Sequence, residues 1–294
     1  MDKRTIKDLT IKDNFMFAAV MQDADNCRQF LEMTLGFPIE KVTVDNEKSI
    51  IYHPQYRSVR LDVYASDGHN TRYNVEMQVL CNSKLPRRSR YYHSQIDMEL
   101  IAAGTDYDLL PDTYVIFICD FDPFGESRYR YTYDMICKET GKPLEDGIRT
   151  IFLNTRGSNT LEESKRMRNF LNYVKADITE SMYDFNDDYV KQLQKSITGI
   201  KSDREMGERY MLLKDLLRDE RKLGRSEGLA EGKAIGHFEG KAEAVVELLS
   251  AIEDVSDDII DKVMTVSDPE MLSVYLKSAA KADSVHAFRK DTGL

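Results

Sequence analysis

The segment TYVIFICDFD, Thr113 to Asp122, constrains the fold more than any other. Its centre, YVIFIC, is an uninterrupted apolar run of six residues with β-branched side chains among them. A strand without polar alternation offers neither face to water, so layers of structure must cover both sides of its sheet. The run is far too short to span a bilayer. The chain can supply the covering layers: 41% of its 294 residues are apolar, including 16 Tyr and 12 Phe.

The remaining elements follow from periodicity. IKDNFMFAAVMQD places Ile11, Phe15, Ala18 and Ala19 at helical spacing. ADNCRQFLEMTLGF is a second helix, stopped by Gly36 and Pro38. KVTVDNEKSII and RSVRLDVYA read as strands. SDGHNT, with Asp67-Gly68 and Asn70, turns the chain into the strand RYNVEMQVL. Pro86 opens a helix through RRSRYYHSQIDMELIAAG, with Tyr92, Ile96, Leu100 and Ala103 on one face and Gly104 at its end. SRYRYTYDMIC reads as an outer strand and IRTIFLNTRG as one more. LEESKRMRNFLNYVKAD and DDYVKQLQKSITGI read as helices. Strands on both sides of a helix make the first two thirds a mixed α/β domain.

Composition changes near residue 200. The expected division is residues 1–200 as the α/β domain, 201–245 as a charged glycine-repeat helix or linker, and 246–294 as a small helical tail. Gly224, Gly228, Gly232, Gly236 and Gly240 recur at every fourth position. A glycine inside a helix costs about 1 kcal/mol relative to alanine, so a lone solvated helix would hardly keep five. Close packing against another helix, including one from a second subunit, and a flexible linker both account for the repeat. The tail reads as short amphipathic helices capped at VSDD and VSDPE.

Net charge is -10, which excludes coating of nucleic acid by bulk electrostatics and leaves room for a local basic groove. Cys27, Cys81, Cys119 and Cys137 form neither a C-x-x-C pair nor zinc spacing, the pattern of reduced thiols in a cytoplasmic protein. The polar start MDKRTIKDLT has no leader pattern, and no membrane partner is expected. The five histidines make no triad or metal spacing, and no phosphate-binding glycine loop is present.

One cluster carries chemistry. In RYNVEMQV, Glu76 and Gln78 project from the same side of a strand. Asp62 lies on the hairpin partner and can stand beside Glu76. Two carboxylates that close repel unless a cation lies between them, and a hard ion such as Mg²⁺ suits oxygen ligands. The backbone carbonyl of Met77 is a further candidate ligand. Such an ion serves phosphate chemistry. The plainer reading is a solvated acidic pair on the wet face of a hairpin. SKLPRRSRYYHSQ then brings Lys84, Arg87, Arg88 and Arg90 without an acid. These cations can hold a phosphate backbone, and Tyr91 and Tyr92 can stack on a base, although Tyr92 also fits a core position.

Taken in order, DNFMFAAVM, LDV with NVEMQV, RRSRYYHSQID, YVIFICDFDPFG and the late Glu-Gly repeats resemble the recombination-promoting nucleases of the Rpn group, also described as PD-(D/E)XK nuclease family transposases. The resemblance runs from about residue 5 to about residue 245. It implies a restriction-endonuclease-like core, a central mixed sheet flanked by helices, and Mg²⁺-dependent cleavage of DNA, with Mn²⁺ as a substitute. On that pattern Asp62, Glu76 and Gln78 are the catalytic positions and Asp13 is an accessory acid. Gln78 departs from the wider superfamily, which has lysine there: an amide can orient water but can neither act as its base nor supply a positive charge. Leu61 before Asp62, where proline is usual, is a smaller departure.

Two functional readings follow. One is a metal-dependent DNA endonuclease linked to recombination or mobile elements. The other is a weak or inactive nuclease fold serving as a DNA-binding or oligomeric interaction module. A homo-oligomer through the glycine repeat or the tail is an expectation of either.

Overall fold

The structure is a computed structural model and describes residues 4–46, 49–50, 59–81, 83–101, 104 and 106–294. Its strands are β1 (Val42–Asn46), β2 (Ser49–Ile50), β3 (Val59–Arg60), β4 (Val63–Asp67), β5 (Arg72–Gln78), β6 (Thr113–Cys119), β7 (Arg130–Tyr133) and β8 (Ile148–Asn154). Its α-helices are α1 (Asn14–Met21), α2 (Ala24–Leu35), α3 (Leu85–Leu100), α4 (Lys165–Lys175), α5 (Asp188–Ser202), α6 (Arg204–Ser250), α7 (Asp257–Met264), α8 (Pro269–Ala279) and α9 (Val285–Thr292).

A six-stranded sheet runs in the order β1-β4-β5-β6-β8-β7. β5, β6 and β8 are parallel at its centre, and β1, β4 and β7 are antiparallel around them. The parallel step from β5 to β6 requires a crossover, and α3 provides it. β6 is buried at every position, as its unbroken apolar run demands.

Alternation assigns each strand residue to a side. Tyr73, Val75 and Met77 of β5 join Tyr114, Ile116 and Ile118 of β6 in the large core under α1, α2, α4 and α5. Val115, Phe117 and Cys119 face the other way, with Leu61, Tyr64 and Phe152, against Leu85, Tyr92 and Ile96 of α3. The sheet thus carries a helical layer on each side, the arrangement of a restriction-endonuclease-like fold.

Local chemistry ends the elements where it should. Asp23 Oδ1 accepts the backbone N–H groups of Asp25 and Asn26 at 2.9 and 3.0 Å and caps α2, which Gly36 closes at φ 82°. In the β4–β5 turn the left-handed residue is Asn70, at φ 67°.

Some expected details differ. The fully buried residues of α1 are Met16, Phe17, Val20 and Met21, while Phe15 packs half-buried against the same core. Almost every residue of α1 is apolar, so periodicity does not single out a face. α3 stops at Leu100, short of Gly104, and Ala103 lies outside the described residues. Parts of the KVTVDNEKSII and RSVRLDVYA strands also lie outside them; the rest of the second is broken between β3 and β4, at Leu61 and Asp62.

α3 is tied to the sheet by a buried histidine. His93 Nδ1 lies 2.8 Å from Thr113 Oγ1 on β6, and Nε2 lies 3.1 Å from Thr150 Oγ1 on β8. Burial lowers the imidazole from its ordinary value of 6.5 to about 4, against a weaker opposing pull from Asp146. Between those values the unfolded chain binds a proton that the folded chain refuses. Stability present above 6.5 is therefore lost as the pH falls towards 4. The His93→Gln variant is expected to lose less melting temperature than the wild type between about pH 7 and about pH 5. Parallel melting curves at the two values check this, and equal losses would refute it.

The chain divides into two compact units, Met1–Met211 and Leu212–Leu294. The second has its own core, in which Val245 and Leu249 of α6 pack with Val263, Leu272 and Phe288. All five repeat glycines lie inside α6, and a Cβ added at any of them would meet nothing within 4 Å. No helix of the described residues is long and apolar enough to cross a membrane.

Candidate active site

Asp62 occupies the interruption between β3 and β4. The antiparallel ladder of β4 with β5 begins at Val63 and Val75, so the next pair along, Asp62 and Glu76, falls outside it. Side chains replace the ladder there. Asp62 Oδ2 accepts the Met77 backbone N–H at 3.1 Å, and Glu76 Oε1 accepts the Asp62 backbone N–H at 3.3 Å. The two carboxylates are thereby locked across the break. The N–H and C=O of a strand residue point to the same edge, so the Met77 carbonyl faces Asp62.

Glu76 is 0% exposed, buried between β5 and α3. Its Oε2 accepts from Arg88 Nη2 at 2.7 Å and from the Tyr92 hydroxyl at 3.2 Å. Arg88 Nη1 also reaches Gln78 Oε1 at 3.3 Å, and its Nε donates to the Tyr92 hydroxyl. Burial first, and the Asp62 carboxylate second, push Glu76 up to about 8, with Arg88 pulling the other way. Burial likewise raises the Tyr92 phenol. Asn74, two residues earlier on the same face, is wholly buried and outside hydrogen-bond geometry among the described residues, yet near enough to Glu76 to favour its charged form.

A crowded anionic pair of this kind, made only of oxygen donors, fits a hard divalent cation. Among the described residues no group of three or more His, Cys, Asp and Glu is arranged to hold a metal, so such an ion would rest on Asp62, Glu76 and backbone or water oxygens. A further carboxylate at this end of the sheet, Asp120, is committed elsewhere. It pairs with Lys12 at 3.2 Å and Arg156 at 3.0 Å and accepts from Thr155 Oγ1 at 2.9 Å.

The model of the PD-(D/E)XK nuclease family transposase matches residues 3–226. The chain belongs to that family. No curated protein and no solved structure matches it. Membership implies a nuclease, with DNA as the substrate class and divalent metals as the usual cofactors of the family.

Of the residues singled out in the sequence, Asp62 bonds with Glu76 and the Met77 N–H, and Glu76 and Gln78 share the Arg88 guanidinium. The structure does not bring Asp13 there through any bond: Asp13 Oδ2 accepts the Thr10 backbone N–H at 2.7 Å, and Oδ1 lies 3.6 Å from Arg4. The α1 residue that reaches Asp62 is Asn14, whose Nδ2 stands 3.5 Å from Oδ2. The sequence reading missed it because a neutral amide beside an acid carries no signal of its own.

The basic helix divides by depth. Lys84, at the N-cap of α3, and Arg87 and Arg90 on its first turns are exposed. Arg88 turns inward. Tyr92 is 4% exposed, its ring parallel to Phe117 at 6.2 Å, so it has no free face for a base and acts through its hydroxyl on Glu76. The wet-face reading of the acidic pair is likewise corrected. α3 covers that side of β5, because a parallel crossover must lay its helix on one face of the sheet.

Proposed function

We propose that this chain is a metal-dependent DNA endonuclease that hydrolyses phosphodiester bonds, with Asp62, Glu76 and the Met77 carbonyl holding Mg²⁺, or Mn²⁺ in its place. The observation that carries this reading is the break at Asp62. It trades backbone pairing for a carboxylate locked beside a buried, charge-crowded Glu76. A divalent ion at such a pair lowers the pKa of a bound water and neutralises charge on the phosphodiester.

The protein's own groups do the rest. Gln78 accepts from Arg88 through its Oε1, and its NH₂ is a donor that can orient a water, which an amide does not deprotonate. Lys84, Arg87 and Arg90 hold the DNA backbone. The transposase description supports a role in recombination or mobile DNA, and four free thiols suit a cytoplasmic setting.

The test is nicking of supercoiled plasmid by the full chain. Nicks are expected with Mg²⁺ and Mn²⁺, and none with a chelator or with Asp62→Asn. Nicking that survives the chelator, or an Asp62→Asn chain as active as the wild type, would overturn the assignment. DNA bound and left uncut under all conditions would point to a nuclease fold used as a binding module.

A further inference from the structure

We propose that Arg88 is an exchangeable cation: it pairs with Glu76 when the carboxylate pair holds no metal, and turns to a phosphate of bound nucleic acid when the pair holds one. This rests on the metal-site reading above and identifies the source of the positive charge that Gln78 does not supply.

The geometry is that of a side chain with a foot in each place. Glu76 is wholly buried, whereas the Arg88 side chain is 34% exposed. Its guanidinium touches Glu76 at 2.7 Å and Gln78 at 3.3 Å, so it stands over both positions of the E-x-Q motif. It also lies above the Tyr92 ring, 5.0 Å from the centroid, a surface along which a planar cation can slide without losing contact. Lys84 at the N-cap of α3 and Arg87 and Arg90 on the same turns as Arg88 are exposed and set the outward direction.

Charge supplies the reason for exchange. A divalent ion between the carboxylates would hold both of them ionised, and with Arg88 the cluster would then carry one positive charge in excess. Arg88 and the metal are then rivals for Glu76 and repel each other at that distance. A guanidinium displaced from a carboxylate matches the bidentate geometry of a phosphate, which a glutamine amide cannot do as a cation.

The test uses Ca²⁺, which occupies oxygen sites, so binding is read without turnover. Calorimetric titration of Ca²⁺ into the full-length wild type, Arg88→Ala and Arg88→Lys is followed by titration of a short DNA duplex in Ca²⁺. Removing a rival cation is expected to make the Arg88→Ala chain bind Ca²⁺ about tenfold tighter. The same chain should bind the duplex about tenfold more weakly. Arg88→Lys keeps the charge but cannot fork to Glu76 and Gln78 together, so both changes should be smaller and of the same sign. It carries the test if the alanine chain does not fold. Ca²⁺ binding that is unchanged or weakened in the variants, or unchanged duplex affinity, overturns the role of Arg88 and leaves the metal site standing. Absence of Ca²⁺ binding in every chain, wild type included, overturns the metal site and this role together.

Discussion

Replacing Glu76 with glutamine is expected to cut Mg²⁺-dependent plasmid nicking by about a hundredfold or more while leaving the domain folded. Glutamine has the shape of glutamate: its one oxygen can still accept the Asp62 N–H while its NH₂ donates to the Tyr92 hydroxyl, and only the bond from Arg88 is lost. What it lacks is the negative charge that, with Asp62, makes the pair a cation site. The burial that raises Glu76 is also why the neutral substitution is tolerated: a group already pushed towards protonation loses little when the charge is removed. Nicking rates and melting curves of the two proteins in parallel settle the point. A Glu76→Gln chain that cuts at more than about half the wild-type rate would remove Glu76 from the mechanism.

The largest stability loss is expected at Phe117. It is 0% exposed and sits between two rings, Phe152 at 5.1 Å and Tyr92 at 6.2 Å, both nearly parallel to it. Phe117→Ala should cost about 3–5 kcal/mol, the transfer loss of the ring plus the cavity it leaves. The consequence reaches the site, because the Tyr92 ring leans on Phe117 while its hydroxyl holds Glu76. Nicking should therefore fall further than the loss of folded protein alone explains. Urea denaturation gives the first number, and activity per folded molecule gives the second. A loss below about 1 kcal/mol would show that the stack is not a packed core, and unchanged activity per folded molecule would uncouple Tyr92 from the site.

Much of this architecture was legible in the sequence. The apolar run of β6 required cover on both sides, and both helical layers are present. Alternation in β5 put Glu76 and Gln78 on one side, and Asn70 marked the turn that returns the chain from β4. α1 was less legible, since its apolar residues surround the helix and only its contacts select a buried face.

The site was half legible. Period two says that Glu76 and Gln78 share a side; it does not say which layer covers that side. That depends on where α3 lands as it joins β5 to the parallel β6, a choice made by packing across the sheet. The same packing turned Tyr92 from a surface for bases into a buried support, and selected Arg88 from among four neighbouring cations to enter the site. Asp13 and Asn14 are adjacent in the chain, yet their side chains engage different partners at the start of α1.

The sequence by itself determined the elements, the alternation and the residue types that place this chain in its family, because these depend on neighbours a few positions apart. Only the tertiary structure decided that Glu76 is buried, that Asp62 leaves the ladder to bond Met77, and that Arg88 stands against Glu76. Burial and charge at a site are sums over groups distant in the chain, and no local pattern contains those sums.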